Sequence, residues 1–226
     1  MKKTLLSAAI GAAMLGAMPV QATLLFGPGE FLPGAQVQNF DDSASYNMAT
    51  PRVQIGTTLG VDLGVQAAGG TLNFGPPFGA WSLGANGEWT SAKTFAGVDG
   101  DFQDQPNGIA ASLVFDFGFS RVREVGAFVN YDPDFSFGGG PLQMYLAAYD
   151  ANGALIEDHF VPVDTPNGID AGAFFGIRSN GADIARFEVS APFAVVDDLR
   201  FAVPAPSVPL LMLAGIAGFG LVRRRR

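Results

Sequence analysis

Apolar residues alternate with small or polar residues along several short stretches of the chain. This period of two is the pattern of β-strands that bury one face. The stretch 52–66 alternates throughout its length, and the stretch 112–119 places Phe115, Phe117 and Phe119 on one face. No stretch between residues 23 and 202 sustains the 3.6-residue period of an amphipathic helix over three turns. The pattern therefore predicts an all-β domain.

Further strands are predicted at short intervals, separated by clusters of turn-forming residues. The segment 150–153, Asp-Ala-Asn-Gly, predicts a hairpin because Asn-Gly accepts positive φ. Strands at this spacing, joined by Gly- and Pro-rich turns, are typical of an antiparallel β-sandwich of jelly-roll type. We expect one such domain over residues 23–202, with further strands near 72–74, 88–95, 125–131, 142–149, 154–161, 173–178, 184–190 and 195–201.

The composition narrows the chemistry of this domain. The chain has 30 Gly, 15 Pro and 20 Phe residues, which suits twisted strands joined by tight turns. It has no Cys, a single histidine (His159) and no Gly-x-Ser-x-Gly motif. These absences leave no basis for a Ser-His or Cys-His catalytic centre, or for a zinc site of His and Cys ligands. We predict a non-enzymatic protein that folds without disulfide bonds.

The first 22 residues have the parts of a secretory signal peptide. Lys2 and Lys3 supply a positive start, an apolar run follows over 5–18, and the segment 19–22 ends in a small-x-small pattern. We therefore expect export and cleavage after Ala22.

The other end of the chain carries a proline motif, an apolar run and a basic cluster. The run 207–222 contains 16 residues, and as a helix it would span about 24 Å. It could therefore cross a thin membrane, with its neighbours reaching the interface. The basic cluster would hold this end in the cytoplasm and leave the domain outside the inner membrane. The motif is Val203, Pro204, Ala205 and Pro206, and the cluster is Arg223, Arg224, Arg225 and Arg226.

In this order the three parts resemble the C-terminal sorting signal of PEP-CTERM proteins, the exosortase substrates of Gram-negative bacteria. Ala205 stands where that family's Pro-Glu-Pro motif has Glu, which makes the segment similar to the VPxPA-type variants. The resemblance implies a partner transpeptidase of exosortase type and transient anchoring in the inner membrane. It also implies removal of the tail near residues 204–206 and a destination at the cell surface or in the extracellular matrix. Proteins with such tails accompany exopolysaccharide and biofilm production.

Processing at both ends would change the charge of the protein sharply. Losing Lys2, Lys3 and the four terminal arginines leaves seven of the 13 basic residues, whereas all 21 acidic residues remain. The net charge would therefore move from −8 to −14. A surface this acidic repels nucleic acid, so we expect no nucleic-acid partner.

Paired aspartates suggest a structural calcium ion as the one candidate cofactor. Asp41 and Asp42 lie near the predicted mature start, and Asp197 and Asp198 lie in the last predicted strand. The first and last strands of a jelly roll commonly lie side by side, which would bring together oxygen ligands of the kind that calcium needs. The segment 194–201 also resembles the closing strand of carbohydrate-binding-like jelly rolls, in which an aspartate often helps to hold calcium. The alternative is that Asp197 caps a bulge while Asp198 or Arg200 faces water.

Both tryptophans, Trp81 and Trp89, lie in a Gly- and Pro-rich stretch whose strand pattern is weak. Aromatic residues in long loops at one end of a sandwich can form the rim of a ligand site, which makes these two the candidate glycan contacts. The alternative is that they fill the core. Three functions remain open: a glycan-binding surface protein, a structural or adhesive coat protein, and a polysaccharide hydrolase that uses paired aspartates.

Overall fold

The computed structural model describes residues 22–40, 46–48, 52–55, 61–75, 95–99, 111–131, 142–164, 172–181 and 183–203. Residues 1–21 of the predicted signal peptide and residues 204–226 of the predicted tail lie outside this set. In the described part of the chain, no helix is long and apolar enough to cross a membrane.

Fourteen strands and one short 3-10 helix occur in the described residues, which bears out the predicted all-β class. The strands are β1 (Ala22–Leu25), β2 (Gln36–Gln38), β3 (Tyr46–Met48), β4 (Val53–Gln54), β5 (Gly64–Ala68), β6 (Thr71–Gly75), β7 (Phe95–Asp99), β8 (Ser112–Asp116), β9 (Glu124–Asn130), β10 (Leu142–Tyr149), β11 (Leu155–Val163), β12 (Ala173–Ser179), β13 (Arg186–Ser190) and β14 (Val195–Ala202). The 3-10 helix, η1, is Pro28–Glu30.

The strands form two antiparallel sheets. The first has eight strands in the order β1-β12-β9-β14-β7-β6-β3, with β2 also paired to β14. The second has six strands in the order β11-β10-β13-β8-β5-β4. From β8 onward the chain passes from one sheet to the other at every connection except the β10–β11 hairpin. This alternation makes the two sheets one cooperative unit.

Phenylalanine side chains fill the space between the sheets. Phe115 of β8 lies 6.2 Å from Phe40 and 6.4 Å from Phe187 between ring centres. Phe117 lies 5.3 Å from Phe201 of β14, in the opposite sheet. All five rings are fully buried. Each contributes roughly 2–3 kcal/mol of hydrophobic transfer free energy, so the core can hold a domain without disulfides.

The alternating stretch 52–66 is two strands and not one. Val53 of β4 pairs with Val65 of β5, and Gln54 pairs with Gly64. Alternation alone cannot distinguish a long strand from a hairpin, because both arms of a hairpin keep the same face inward. Gly56 and Gly60 were the turn signals in this stretch.

The N-terminal segment crosses the outer face of the first sheet like a strap. It pairs with β12 through β1, crosses at η1, and pairs with β14 through β2. The carboxylate of Glu124, fully buried at the start of β9, fastens this strap. Its Oε1 accepts a hydrogen bond from Leu32 N at 2.7 Å, and its Oε2 lies 2.7 Å from Arg178 Nε. Arg178 also donates to the carbonyl of Glu30, so one ion pair holds the strap at two points.

Candidate functional site

An open cleft of about 550 Å³ lies at one end of the sandwich, where the ends of β8, β10 and the start of β13 meet. Five separate segments build it, so its shape depends on the whole fold. Its lining residues, called the cleft below, are Arg52, Asp62, Asp116, Gly118, Phe119, Arg121, Asp150, Ala151, Asn152, Gly153, Ala185 and Arg186.

The turn between β8 and β9 supplies the aromatic side chain of the cleft. Gly118 adopts a φ of +54°, and its N–H donates to Asp116 Oδ1 at 2.6 Å. Ser120 N donates to the carbonyl of Phe117 at 2.9 Å and closes the turn. The chain thus leaves the strand direction after Phe117, and Phe119 is 96% exposed. The expectation that Phe119 shares the buried face of Phe115 and Phe117 is wrong, because the glycine turns the backbone.

Arg52 and Asp62 form one wall of the cleft. Arg52 Nη2 lies 2.9 Å from Asp62 Oδ1 and also donates to the carbonyls of Asp62 and Asp116. The two side chains are 31% and 44% exposed, so the ion pair contributes well under about 1 kcal/mol to stability. Its main effect is positional, because it ties the chain before β4 to the end of β8. A side chain at Gly118 would collide with the Asp62 carboxylate, so the glycine also keeps this wall in place.

The β10–β11 hairpin forms the opposite wall. Asp150 N donates to the carbonyl of Ala154 at 2.9 Å, and Gly153 has a φ of +80°, which confirms the predicted Asn-Gly turn. Asp150 Oδ1 accepts hydrogen bonds from the N–H groups of Ala154 and Asn152, both at 2.8 Å. These bonds, with that from Ala154 the largest cause, lower the pKa of Asp150. The carboxyl therefore stays ionised at neutral pH, which makes it a hydrogen-bond acceptor and a poor general acid.

Two further arginines, Arg121 and Arg186, line the cleft. Arg186 Cζ lies 5.1 Å from the ring centre of Tyr149, and Tyr149 donates to Glu188 Oε2 at 2.9 Å. Arg121 donates to the carbonyls of Gly118 and Ser120 in its own turn. Neither guanidinium forms an ion pair with a carboxylate among the described residues. Both positive charges are therefore held in place and available to a ligand.

Two of the predicted calcium residues, Asp197 and Asp198, do not line the cleft. Asp197 and Asp198 form a bulge in β14, where Asp198 has a φ of +48° and donates its N–H to Asp197 Oδ1 at 2.7 Å. This agrees with the alternative in which Asp197 caps a bulge. Gln38 of β2 pairs with Leu199, so the chain just before Asp41 does lie beside the last strand.

Asp41 and Asp42 themselves lie outside the described residues. Among the residues that the structure describes, no group of three or more His, Cys, Asp or Glu side chains could hold a metal ion. The calcium site therefore stays a prediction.

The other predicted site residues lie mostly outside the described part of the chain. This holds for both tryptophans, Trp81 and Trp89, and for residues 204–206 and 223–226 of the tail. Ala22 is the first residue of β1, and Val203 follows β14 directly and is exposed.

None of the residues that line the cleft was predicted as a site residue. Two sequence signals pointed to it: the glycine between Phe117 and Phe119, and the polar Asn-Gly hairpin. What the sequence could not give was their convergence, since the segments involved are up to 134 positions apart, from Arg52 to Arg186.

No protein-family model and no curated protein sequence matches the chain. Among solved structures the chain is similar to the lectin domain of lectinolysin in complex with Lewis B antigen, at 12% sequence identity and a TM-score of 0.33. The similarity covers 62% of this chain and 93% of that chain. It is also similar to a DUF4465 family protein from Bacteroides caccae ATCC 43185, with 6% identity, coverage of 82% and 97%, and a TM-score of 0.32. At these TM-scores neither similarity identifies a family or a ligand for this chain.

Proposed function

We propose that this chain is an exported, envelope-sorted β-sandwich that binds a glycan in the cleft. The observation that carries the proposal is Phe119, a 96% exposed aromatic ring at the mouth of a polar cleft. A large apolar side chain held in water by a tight turn gains nothing for the core. Its ring is open to contact with a ligand that enters the cleft.

The chemistry around Phe119 fits a sugar. One face of a sugar ring carries C–H groups that can pack on an aromatic ring, and its edge carries hydroxyl groups that both donate and accept hydrogen bonds. The cleft offers acceptors on Asp116 and Asp150, an amide on Asn152, and donors on its arginines. Its volume of about 550 Å³ is in the range of small-ligand sites.

The polar groups of the cleft are already fixed before a ligand arrives. The Asp150 hairpin is closed by three hydrogen bonds at 2.8–2.9 Å, and Asp116 is held by Gly118 N. A site whose side chains are held in place loses less conformational entropy on binding. This rigidity favours a binding role over a purely structural coat role.

The strand order supports the finer interpretation of the fold as a jelly roll. In the first sheet β7, β14, β9 and β12 are consecutive neighbours, and in the second β8, β13, β10 and β11 are. This is the order produced by two interlocked Greek keys.

Exosortase-type sorting to the cell surface or matrix, with an exopolysaccharide as the ligand, is the second part of the proposal. Its support is the three-part tail together with the extent of the described domain. Strands of the sandwich lie near both ends of the interval between the two predicted signals, with β1 beginning at Ala22 and β14 ending at Ala202. The measurement that tests this part is the intact mass of the protein recovered from the cell envelope and from the medium.

Replacing Phe119 by alanine tests the binding site directly. We expect Phe119→Ala to weaken binding on a glycan array by about tenfold, because an aromatic contact is worth on the order of 1 kcal/mol beyond the area it buries. The melting temperature should hardly change, since the ring is exposed. Phe26→Ala is the matched control, because Phe26 is also exposed (66%) but belongs to the strap on the other sheet. Equal binding by both variants, or no glycan binding by the unchanged protein, would rule out the site.

A further inference from the structure

We infer that the cleft selects an acidic glycan and binds a sugar carboxylate with Arg186 and Arg121. This inference rests on the proposed function, because it names the ligand class of the same site. It starts from where the positive charges of the domain are.

Basic residues are scarce in this chain and concentrated at the cleft. Between residues 23 and 203 there are seven basic residues and 21 acidic ones. Three of the seven basic residues line the cleft, against three of the 21 acidic residues. The cleft is thus close to neutral in a domain whose net charge is −14.

The three acidic groups of the cleft already have partners of their own. Asp62 pairs with Arg52, Asp116 accepts the N–H of Gly118, and Asp150 accepts the N–H groups of Asn152 and Ala154. Asp116 and Asp150 keep their negative charge, because their partners are neutral N–H groups. Arg121 and Arg186 are the two positive charges of the cleft that have no carboxylate partner among the described residues.

Both guanidinium groups are held in a fixed orientation. Arg186 lies over the Tyr149 ring, which is itself fixed by its hydrogen bond to Glu188. Arg121 is held by two carbonyls of the Phe119 turn. A planar guanidinium with free N–H groups matches a carboxylate through two parallel hydrogen bonds, so this arrangement fits a uronic acid better than a neutral sugar.

The remaining surface restricts where an acidic polymer can bind. A domain with a net charge of −14 repels an anionic polymer over a range of about 10 Å at 0.1 M salt. An acidic polysaccharide is then attracted only at the cleft, so it would bind at that end of the sandwich alone.

The experiment compares each acidic ligand with its own neutral form. Short oligomers of galacturonic, mannuronic and glucuronic acid are titrated calorimetrically beside their methyl esters, which keep the sugar and remove the charge. We expect at least one acid to bind about tenfold more tightly than its ester, as for a hydrogen bond to a charged group. Arg186→Gln should remove this difference in affinity. Arg186→Lys keeps the positive charge but cannot form two parallel hydrogen bonds, so it should retain part of the difference.

Arg123→Gln is the matched control. Arg123 is two residues from Arg121, exposed, and outside the cleft, and its recorded hydrogen bonds use backbone atoms. It should leave the acid-to-ester ratio unchanged. Melting temperatures show that each variant is folded.

Equal affinity for every acid and its ester would overturn the inference. An Arg186→Gln variant that loses affinity for the acid and for the ester to the same degree would overturn it as well. Binding of neutral glycans with no preference for any acid, lost in Phe119→Ala, would overturn it too, but would leave the proposed function standing. If no glycan binds at all, both fail.

Discussion

At position 118 the chain needs a backbone conformation that a residue with a side chain adopts only at a cost, because φ is +54° there. This single glycine ends the buried face at Phe117 and sends Phe119 into solvent. It also leaves room for the Asp62 carboxylate beside the turn. The aromatic contact and the ion pair of the cleft thus depend on one residue that has no side chain.

Tyr149 and Tyr145 make the stability of the protein sensitive to alkaline pH. Burial, followed by the negative charge of Glu188, raises the pKa of Tyr149 well above its usual range. Burial, with a contribution from Asp158, also raises the pKa of Tyr145. An unfolded chain releases its tyrosine protons near pH 10 while the folded protein keeps these two, so the free energy of unfolding should fall as pH rises above about 10.

Urea unfolding between pH 9 and 11.5, with absorbance at 295 nm to follow ionisation, measures this effect. Below pH 10 both states are protonated and the two tyrosines give no slope. Tyr149→Phe should reduce the alkaline loss of stability relative to the unchanged protein. If both proteins lose stability in parallel, or if every tyrosine titrates near pH 10, the raised pKa of Tyr149 is wrong.

At the residue level, inward positions could be predicted well from the hydrophobic pattern, whereas the residues of the cleft could not. Phe115 and Phe117 are buried as the alternation predicted, since burial follows directly from a period of two. Phe119 continued the same period but ended in solvent, because the conformation of Gly118 overrides the pattern. The role of Arg186 was not predictable, since it depends on a ring, Tyr149, that is distant in sequence.

At the level of elements, local turn chemistry determined how well a strand could be predicted. The strand predicted at 142–149 is observed with the same bounds, because a polar Asn-Gly turn follows it. The stretch 52–66 divides into β4 and β5, whose pairing the alternation could not reveal. The strap was not predicted, since β1, η1 and β2 are short and derive their stability from β12, β14 and the buried Glu124.

The contribution of Glu124 to the stability of the strap can be measured. Glu124→Ala would remove the acceptor of Leu32 N and the partner of Arg178 at once. We expect the free energy of unfolding to fall by about 3 kcal/mol, at the low end for a broken buried ion pair because Arg178 can reach water. Limited proteolysis should then cut within residues 26–35, where the unchanged protein resists.

The matched control for Glu124 is a contact between two partly exposed side chains. Glu157 Oε1 lies 3.2 Å from His159 Nε2, with both side chains partly exposed. Glu157→Ala should cost less than about 1 kcal/mol. If the two variants lose the same stability, or if the strap stays resistant to proteolysis in Glu124→Ala, then Glu124 does not fasten it.

At the level of the whole molecule, the proposed processing at both ends would set the charge and the destination of the protein. We expect the material recovered from the envelope or the medium to have an intact mass that begins at Thr23 and ends near Pro206, with or without an added group. Cleavage there removes six basic residues and leaves the net charge at −14. A mass that retains the chain through Arg226 would mean a simple membrane anchor, and the sorting proposal would then be wrong.

The two ends of the sandwich domain lie close together and close to the cleft. Ala22 pairs with Ser179, Ser179 N donates to the carbonyl of Arg123, and Arg123 N donates to the carbonyl of Ala202. Arg123 follows the turn that carries Phe119 and Arg121. Any support joined to the domain through either end therefore lies on the same side as the ligand.

A molecule built in this way would hold a ligand of the cleft close to its support and would not present it outward. If it were joined to a surface through its last strand, it would bind the polymer close to that surface. The length of the segment between the domain and the surface would then limit the thickness of the polymer that fits between them. The same geometry governs practical work: an affinity tag or sensor chip attached at either end of the domain will crowd the cleft, and a long spacer will restore access.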